Sequence, residues 1–328
     1  MKQWIECRNV LAAFADPAGA KAVLAFLSLN GACAKSITII SNREHGFYRD
    51  FSYQVLSDQG LSIDDWIHNR EVLVVGSSYP AGLEFDLINA TSKVGIPSIS
   101  FVDHWTNLSA RFERDGLRVL PDVIGLVDNR AYELAVNEGL PVERLKIVGN
   151  PYHTYLKNWR PQISRAQLLE SLRISTHKPY FFYAPEPFSQ FDLKKKYGFD
   201  EIDGLHLIRE AKKAFPKGTF SIIIKGHANQ NHNLFVDDLT KSLDQDIVYI
   251  RDGDINIISY YAASTIGFFS NSLVEASLLG CHIIRPLMLL KSEALDSLKS
   301  VSNETWIDVF SRDEFINILQ TKLLHNKL

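Results

Sequence analysis

Apolar and polar residues fall in blocks along this chain rather than alternating one by one. Short apolar runs stand at 9–14, 36–41, 71–76, 96–103, 122–127 and 145–149. Between them, 20–29, 83–94 and 129–139 carry apolar residues at helical spacing. A continuous apolar run suits a strand buried on both faces. Such strands alternating with helices predict a parallel sheet with helices on both sides. Residues 43–69 break the rhythm. They are aromatic and mixed (Phe47, Tyr48, Phe51, Tyr53, Trp66) and read as loop with short helices.

The character changes at 150–178, where Asn150-Pro151, Trp159-Arg-Pro161 and Lys178-Pro179 are turn signals around one predicted helix, 165–172. A second alternating set follows. Its predicted strands are 180–183, 220–225, 247–250, 265–269 and 282–287, and its predicted helices 201–215, 233–243, 255–263 and 314–324. The pattern predicts an α/β chain with a Rossmann-like domain at 1–158, a linker at 159–178 and a second Rossmann-like domain at 179–328. Two doubly wound sheets facing a central cleft would present their carboxyl-end loops to a ligand.

Composition narrows the class. Of 328 residues, 46% are hydrophobic and 22% charged, and the net charge is −3. That near balance argues against a nucleic-acid partner. Cys7, Cys33 and Cys281 are far apart and form no CxxC pair, which points to a reducing compartment and no structural zinc. No signal-peptide core follows Met1, and no apolar run is long enough to span a bilayer. A cytoplasmic protein is expected, with room for peripheral association at the inner face of the membrane.

Candidate chemistry gathers where predicted strands end. Ser270-Asn271-Ser272 separates a strand from a short helix that stops at Gly280. Such a turn offers backbone N–H groups, hydroxyls and the positive end of a helix dipole to an anion, most simply a phosphate. It is equally what an ordinary N-cap looks like. Glu275, three residues after Ser272, fits a capping box or a carboxylate facing ribose hydroxyls. Lys225 and His227 follow the strand at 220–225 and suit a phosphate or a leaving-group oxygen. Pro185-Glu186-Pro187 is a rigid turn, either a pocket wall or a strand terminator. Arg251-Asp-Gly-Asp254 reads as a turn plus a capping Asp254. In the first half, Asp103 and His104, with Trp105 and Asn107, end a strand and are candidate general bases. Asp16 and Glu84 are further base candidates. Ser77 and Ser78, with Glu84, would line an acceptor side.

Several of these stretches resemble the GT-B superfamily, which includes nucleotide-sugar glycosyltransferases and UDP-GlcNAc 2-epimerases. Glu138-Gly-Leu-Pro…Val148-Gly-Asn-Pro151 resembles the segment closing its first domain. Lys225-Gly-His227 is similar to the Lys-x-His-Pro turn of capsule and teichoic-acid transferases, with Ala228 in place of the proline. Ser270-Asn-Ser…Glu275-Ala…Leu279-Gly280 is similar to the signature that holds the donor phosphates. The resemblance implies that Lys225, His227, Ser270, Asn271 and Ser272 meet the phosphates of a UDP, CMP or CDP sugar, and Glu275 its ribose. It places the base on a first-domain loop, at Asp103, His104 or Asp16. It implies no metal and no cofactor beyond the sugar nucleotide as substrate. The expected function is a glycosyltransferase of bacterial surface-polysaccharide synthesis, acting on a glycan or lipid-linked acceptor. The alternatives are a nucleotide-sugar 2-epimerase or hydrolase on the same fold, and a non-catalytic sugar-nucleotide binding protein.

Overall fold

The structure, a computed structural model, describes residues 2–57, 60–227, 232–240, 246–268, 270–291 and 306–325. The chain divides into two compact units, Met1–Asn158 and Trp159–Leu328.

The first unit holds strands β1 (Asn9–Phe14), β2 (Ser36–Ser41), β3 (Val55–Ser57), β4 (Val72–Val75), β5 (Ser98–Val102), β6 (Glu113–Arg114), β7 (Leu117–Arg118), β8 (Val123–Leu126) and β9 (Leu145–Ile147). Its helices are α1 (Pro17–Asn30), α2 (Ile63–Ile67), α3 (Leu83–Val94), α4 (Asn129–Asn137) and α5 (Pro151–Asn158). Seven strands form one parallel sheet in the order β3-β2-β1-β4-β5-β8-β9. The short β6 and β7 pair antiparallel, through a turn with Asp115 and Gly116 at positive φ. Both faces of the sheet are covered, so β1, β4 and β8 are buried almost end to end, as their unbroken apolar runs require.

The second unit holds α6 (Arg165–Ser171), β10 (Tyr180–Tyr183), α7 (Lys194–Tyr197), α8 (Glu201–Lys212), β11 (Ser221–Lys225), α9 (His232–Thr240), β12 (Ile247–Ile250), α10 (Ile255–Tyr261), β13 (Thr265–Ile266), α11 (Asn271–Leu278), β14 (Ile283–Pro286), β15 (Trp306–Val309) and α12 (Arg312–His325). Its sheet is also parallel, in the order β12-β11-β10-β13-β14-β15. Leu205 and Ile208 of α8 and Phe315 and Leu319 of α12 bury one face. Leu169 of α6, Ile258 of α10 and Leu273 of α11 bury the other.

Two Rossmann-like α/β units are what the hydrophobic pattern predicts. The differences lie where that pattern is weak. The mixed stretch 43–69 contains β3, whose three residues sit at the sheet edge. Trp306–Val309 adds β15, unread because its apolar pattern is broken by Asp308, which pairs with buried Arg285 on β14. Residues 151–158 form α5, packed along α1, not a run of turns. The stretch read as a linker, 159–178, lies in the second compact unit, where Leu168, Leu169 and Ile174 join the core. Among the described residues, no helix is long and apolar enough to cross a membrane.

Strand order creates one switch point per sheet. In the first, the chain runs outward from β1 to β2 and β3, then returns to β4 on the other side. In the second, it runs from β10 to β11 and β12, then returns to β13. The loops leaving such a pair go opposite ways and open a crevice at the carboxyl ends. In the first unit, α1 crosses the end of β4 so closely that a Cβ on Gly76 would lie 2.8 Å from Gly19 Cα. Backbone on both sides leaves little room to yield. Gly76→Ala is therefore expected to cost about 1–3 kcal/mol of stability, read as a lower denaturant midpoint. An unchanged midpoint would contradict the close approach.

Candidate functional site

The first unit's crevice is lined by the loop after β1, with Ala15 and Asp16, and the loop after β4, with Ser77 and Ser78. Glu84, in the first turn of α3, ties them together. Its Oε1 accepts the Ala15 N–H at 2.8 Å and the Ser78 hydroxyl at 2.6 Å. The residue is 3% exposed, and Oε2 has no hydrogen-bond partner among the described residues. Burial pushes its carboxyl above the ordinary glutamate value. The Ser78 and Ala15 hydrogen bonds oppose that rise, and the nearby charge of Asp16 adds to it. Asp16 is in a different setting. Its Oδ1 pairs with Arg43 Nη1 at 2.9 Å, its Oδ2 accepts the Tyr79 N–H at 3.2 Å, and its own N–H reaches Ser78 Oγ at 3.3 Å. It heads α1 but does not cap it with its side chain. Arg43 also lines a cavity of about 800 Å³ at the carboxyl ends of β2 and β3, with Ser41, His45, Tyr48 and Ser57. His45 Nε2 lies 3.0 Å from the Ala15 carbonyl.

A second cluster adjoins the first through the Ser77-Ser78 peptide. Arg111 Nη1 donates to the Ser77 carbonyl and Oγ, both at 3.1 Å, and lies 3.5 Å from Asp103 Oδ1. The Arg111 and Asp103 side chains are only 9% and 8% exposed, so Asp103 is the anionic half of a buried ion pair. His104 Nδ1 lies 2.9 Å from Thr106 Oγ1. Burial pushes its imidazole below the ordinary histidine value. Asp103 pulls it back, and Arg111 adds to the lowering. The structure thus brings Asp16, Ser78 and Glu84 together, and Asp103 with Ser77.

In the second unit, Ser270 is the N-cap of α11, its Oγ accepting the Ser272 N–H at 3.2 Å. The capping-box relation expected between Ser272 and Glu275 does not form, because the third helical position is Leu273. Glu275 is buried in the helix. The turn is less open than its sequence suggests. Glu186, following β10, accepts the Phe268 N–H at 3.1 Å and the Ser270 N–H at 3.0 Å on Oε1. The Leu273 N–H goes to the Ser270 carbonyl. Lys225 and His227 end the neighbouring β11. Desolvation of the His227 ring, although much of the residue is exposed, and then the charge of Lys225 hold its imidazole below the ordinary value. Residues 228–230 of that loop, Phe269 of the predicted strand and 241–243 of the predicted helix lie outside the described residues. Asp254 caps α10, as its turn predicts.

Sequence reasoning passed over Arg43 and Arg111, which organise the first unit's carboxylates. Arg111 lies away from the carboxyl ends of the strands, and Arg43, two residues past β2, falls in the mixed stretch 43–69, so only folding shows what they pair with. Glu186 carried a signal, since prolines on both sides restrict the backbone that presents it. Among the described residues, no group of three or more His, Cys, Asp or Glu is placed to hold a metal ion.

No protein-family model matches this chain, and no curated protein matches it. Solved structures do. UDP-GlcNAc 2-epimerase from Methanocaldococcus jannaschii is 14% identical, with 97% of this chain and 93% of that one covered and a TM-score of 0.62. UDP-GlcNAc 2-epimerase from Neisseria meningitidis, bound to UDP-GlcNAc, is 15% identical over 97% and 92%, with a TM-score of 0.61. Anabaena Alr3699/HepE, in complex with UDP-glucose, is 14% identical over 96% and 89%, with a TM-score of 0.57. At such identities the likeness establishes the fold, that of the GT-B-like UDP-GlcNAc 2-epimerases. It also corrects the expectation of a glycosyltransferase, because the two enzymes named for a reaction are epimerases. The physical reason is plain. The Lys225 and Ser270 motifs suit the phosphate end of a sugar nucleotide and say nothing of what attacks the sugar. An acceptor side for Ser77, Ser78 and Glu84 is then no longer called for.

Glu84 generates a test of the first unit's electrostatics. A carboxyl raised on folding contributes nothing adverse below its unfolded value. It costs stability as pH rises from there through its folded value. Relative to Glu84→Gln, the wild type should therefore lose stability as pH climbs from the ordinary glutamate range towards neutrality, measured by urea unfolding at a series of pH values. Parallel pH profiles for the two proteins would contradict a Glu84 carboxyl raised by burial.

Proposed function

We propose that this chain is a nucleotide-sugar epimerase acting on a UDP-activated sugar, with UDP-GlcNAc its first candidate substrate. Epimerisation at a carbon bearing hydrogen can proceed with one group removing a proton and another returning one to the opposite face. Two carboxyls in unlike environments suit that task. The observation that carries the reading is the Glu84–Asp16 pair. One carboxyl is buried with an unpartnered oxygen, and the other is ion-paired to Arg43. The fold shared with two UDP-GlcNAc 2-epimerases supports it. In this reading Lys225, His227, Ser270, Asn271 and Ser272 serve the diphosphate, and Glu275 the ribose. Glu84 leads the proton-transfer candidates, ahead of Asp16, Asp103 and His104. The sugar nucleotide is the substrate, and no acceptor or resident cofactor enters the reaction.

The test is incubation with UDP-GlcNAc alone, followed by NMR. The expected result is an equilibrium with the C2 epimer. Free sugar and UDP would instead make the chain a hydrolase, and an unchanged spectrum would remove this substrate. Glu84→Gln should lower turnover by about 10²–10⁴-fold while nucleotide affinity holds. Full turnover in that variant would exclude Glu84 from proton transfer.

A further inference from the structure

The crevice of the second sheet lies between the ends of β10 and β13, and it is already bridged. Glu186 leaves the end of β10 between Pro185 and Pro187, and the next amide, Phe188 N–H, closes onto the Glu186 carbonyl at 2.8 Å. Its side chain is buried, with the residue 7% exposed, and Oε1 reaches across to the Phe268 and Ser270 amides after β13. A carboxylate oxygen on two successive-but-one backbone amides, ahead of a helix N-terminus, is how such a turn holds any anion. In sheet order, the ends of β11, β10 and β13 carry Lys225 and His227, then Glu186, then Ser270. The carboxylate stands between the two turns whose chemistry suits a phosphate.

We propose that Glu186 is the resident anion of this turn, and that a ligand phosphate binds there by competing with it for the Phe268 and Ser270 amides. The idea rests on the nucleotide-site reading of the Ser270 turn and adds to it the residue that sets how strongly the turn accepts anionic ligands. The charge balance agrees. A helix N-terminus carries roughly half a positive charge, which one carboxylate more than offsets. Nearby, Glu201, Asp200 and Asp203 act with Glu186 on the Tyr183 hydroxyl, and Glu275 lies buried in α11. Lys194 pairs with Asp200 and Asp203. A diphosphate therefore meets a carboxylate already seated on the amides it would use. Phe188 and Phe199 pack with Phe268 in one aromatic cluster, which joins the loop after β10 to the turn after β13.

The experiment compares wild type and Glu186→Gln, each as the full chain, by calorimetric titration with inorganic pyrophosphate and with UDP. Glutamine keeps an oxygen acceptor for the two amides and removes the charge, so the turn should persist. Thermal unfolding checks that it does. Both probes are expected to bind the variant on the order of tenfold more tightly, a difference of about 1.4 kcal/mol. Equal or weaker binding, or no binding by either protein, would overturn the inference. Should the variant fail to fold, pyrophosphate titration of wild type, followed at the Phe268 and Ser270 amide resonances, decides the matter. Displacement of Glu186 shifts both, and unmoved resonances refute it. Tightening in a protein that turns over no UDP-sugar would leave this inference standing and remove the epimerase reading. Turnover without tightening would do the reverse.

Discussion

Each sheet is closed at its switch point by one buried glutamate accepting main-chain amides from the strand end opposite. Glu84 reaches from beyond β4 to Ala15 beyond β1, and Glu186 from beyond β10 to Phe268 and Ser270 beyond β13. Parallel strands that part company leave amides without a ladder partner, and buried amides must be satisfied. A glutamate supplies the acceptor and fixes the loop at once. Ala15 and Ser78 are placed by the Glu84 contacts, and the Ser270 cap by the Glu186 contacts.

The two glutamates are not equivalent. Glu186 puts two amide donors on a single oxygen. Glu84 has one amide and one hydroxyl on Oε1 and nothing among the described residues on Oε2. The first resembles an anion in its seat. The second is an environment that raises a carboxyl's pKa, since an ionised oxygen buried without a donor is costly. One architectural device thus sets two buried carboxyls in unlike environments on separate sheets.

The fold was largely legible in the sequence, because unbroken runs such as Val72–Val75 and Tyr180–Tyr183 admit few alternatives to buried parallel strands. The edge strands β3 and β15 were not. An edge strand needs only one covered side and short length, so its pattern fades into loop. The candidate residues were legible as types at strand ends, where topology exposes loops. Their partners were not. Arg111 reaches Ser77 and Asp103 from a loop well along the chain, and Arg43 reaches Asp16 from beyond β2. Such pairings depend on strand order, and local pattern carries no record of it. Function was least legible, since short phosphate-suited motifs serve transferases and epimerases alike.

The central claim is the proposal that the carboxyl edge at the second sheet's switch point binds a nucleotide sugar. Amide hydrogen exchange with and without UDP-GlcNAc tests it most directly. The account predicts added protection at 225–227 and 270–275. Protection confined to the opposite edge, where Cys281, His282 and Lys322 line a separate cavity, or no protection anywhere, would contradict it.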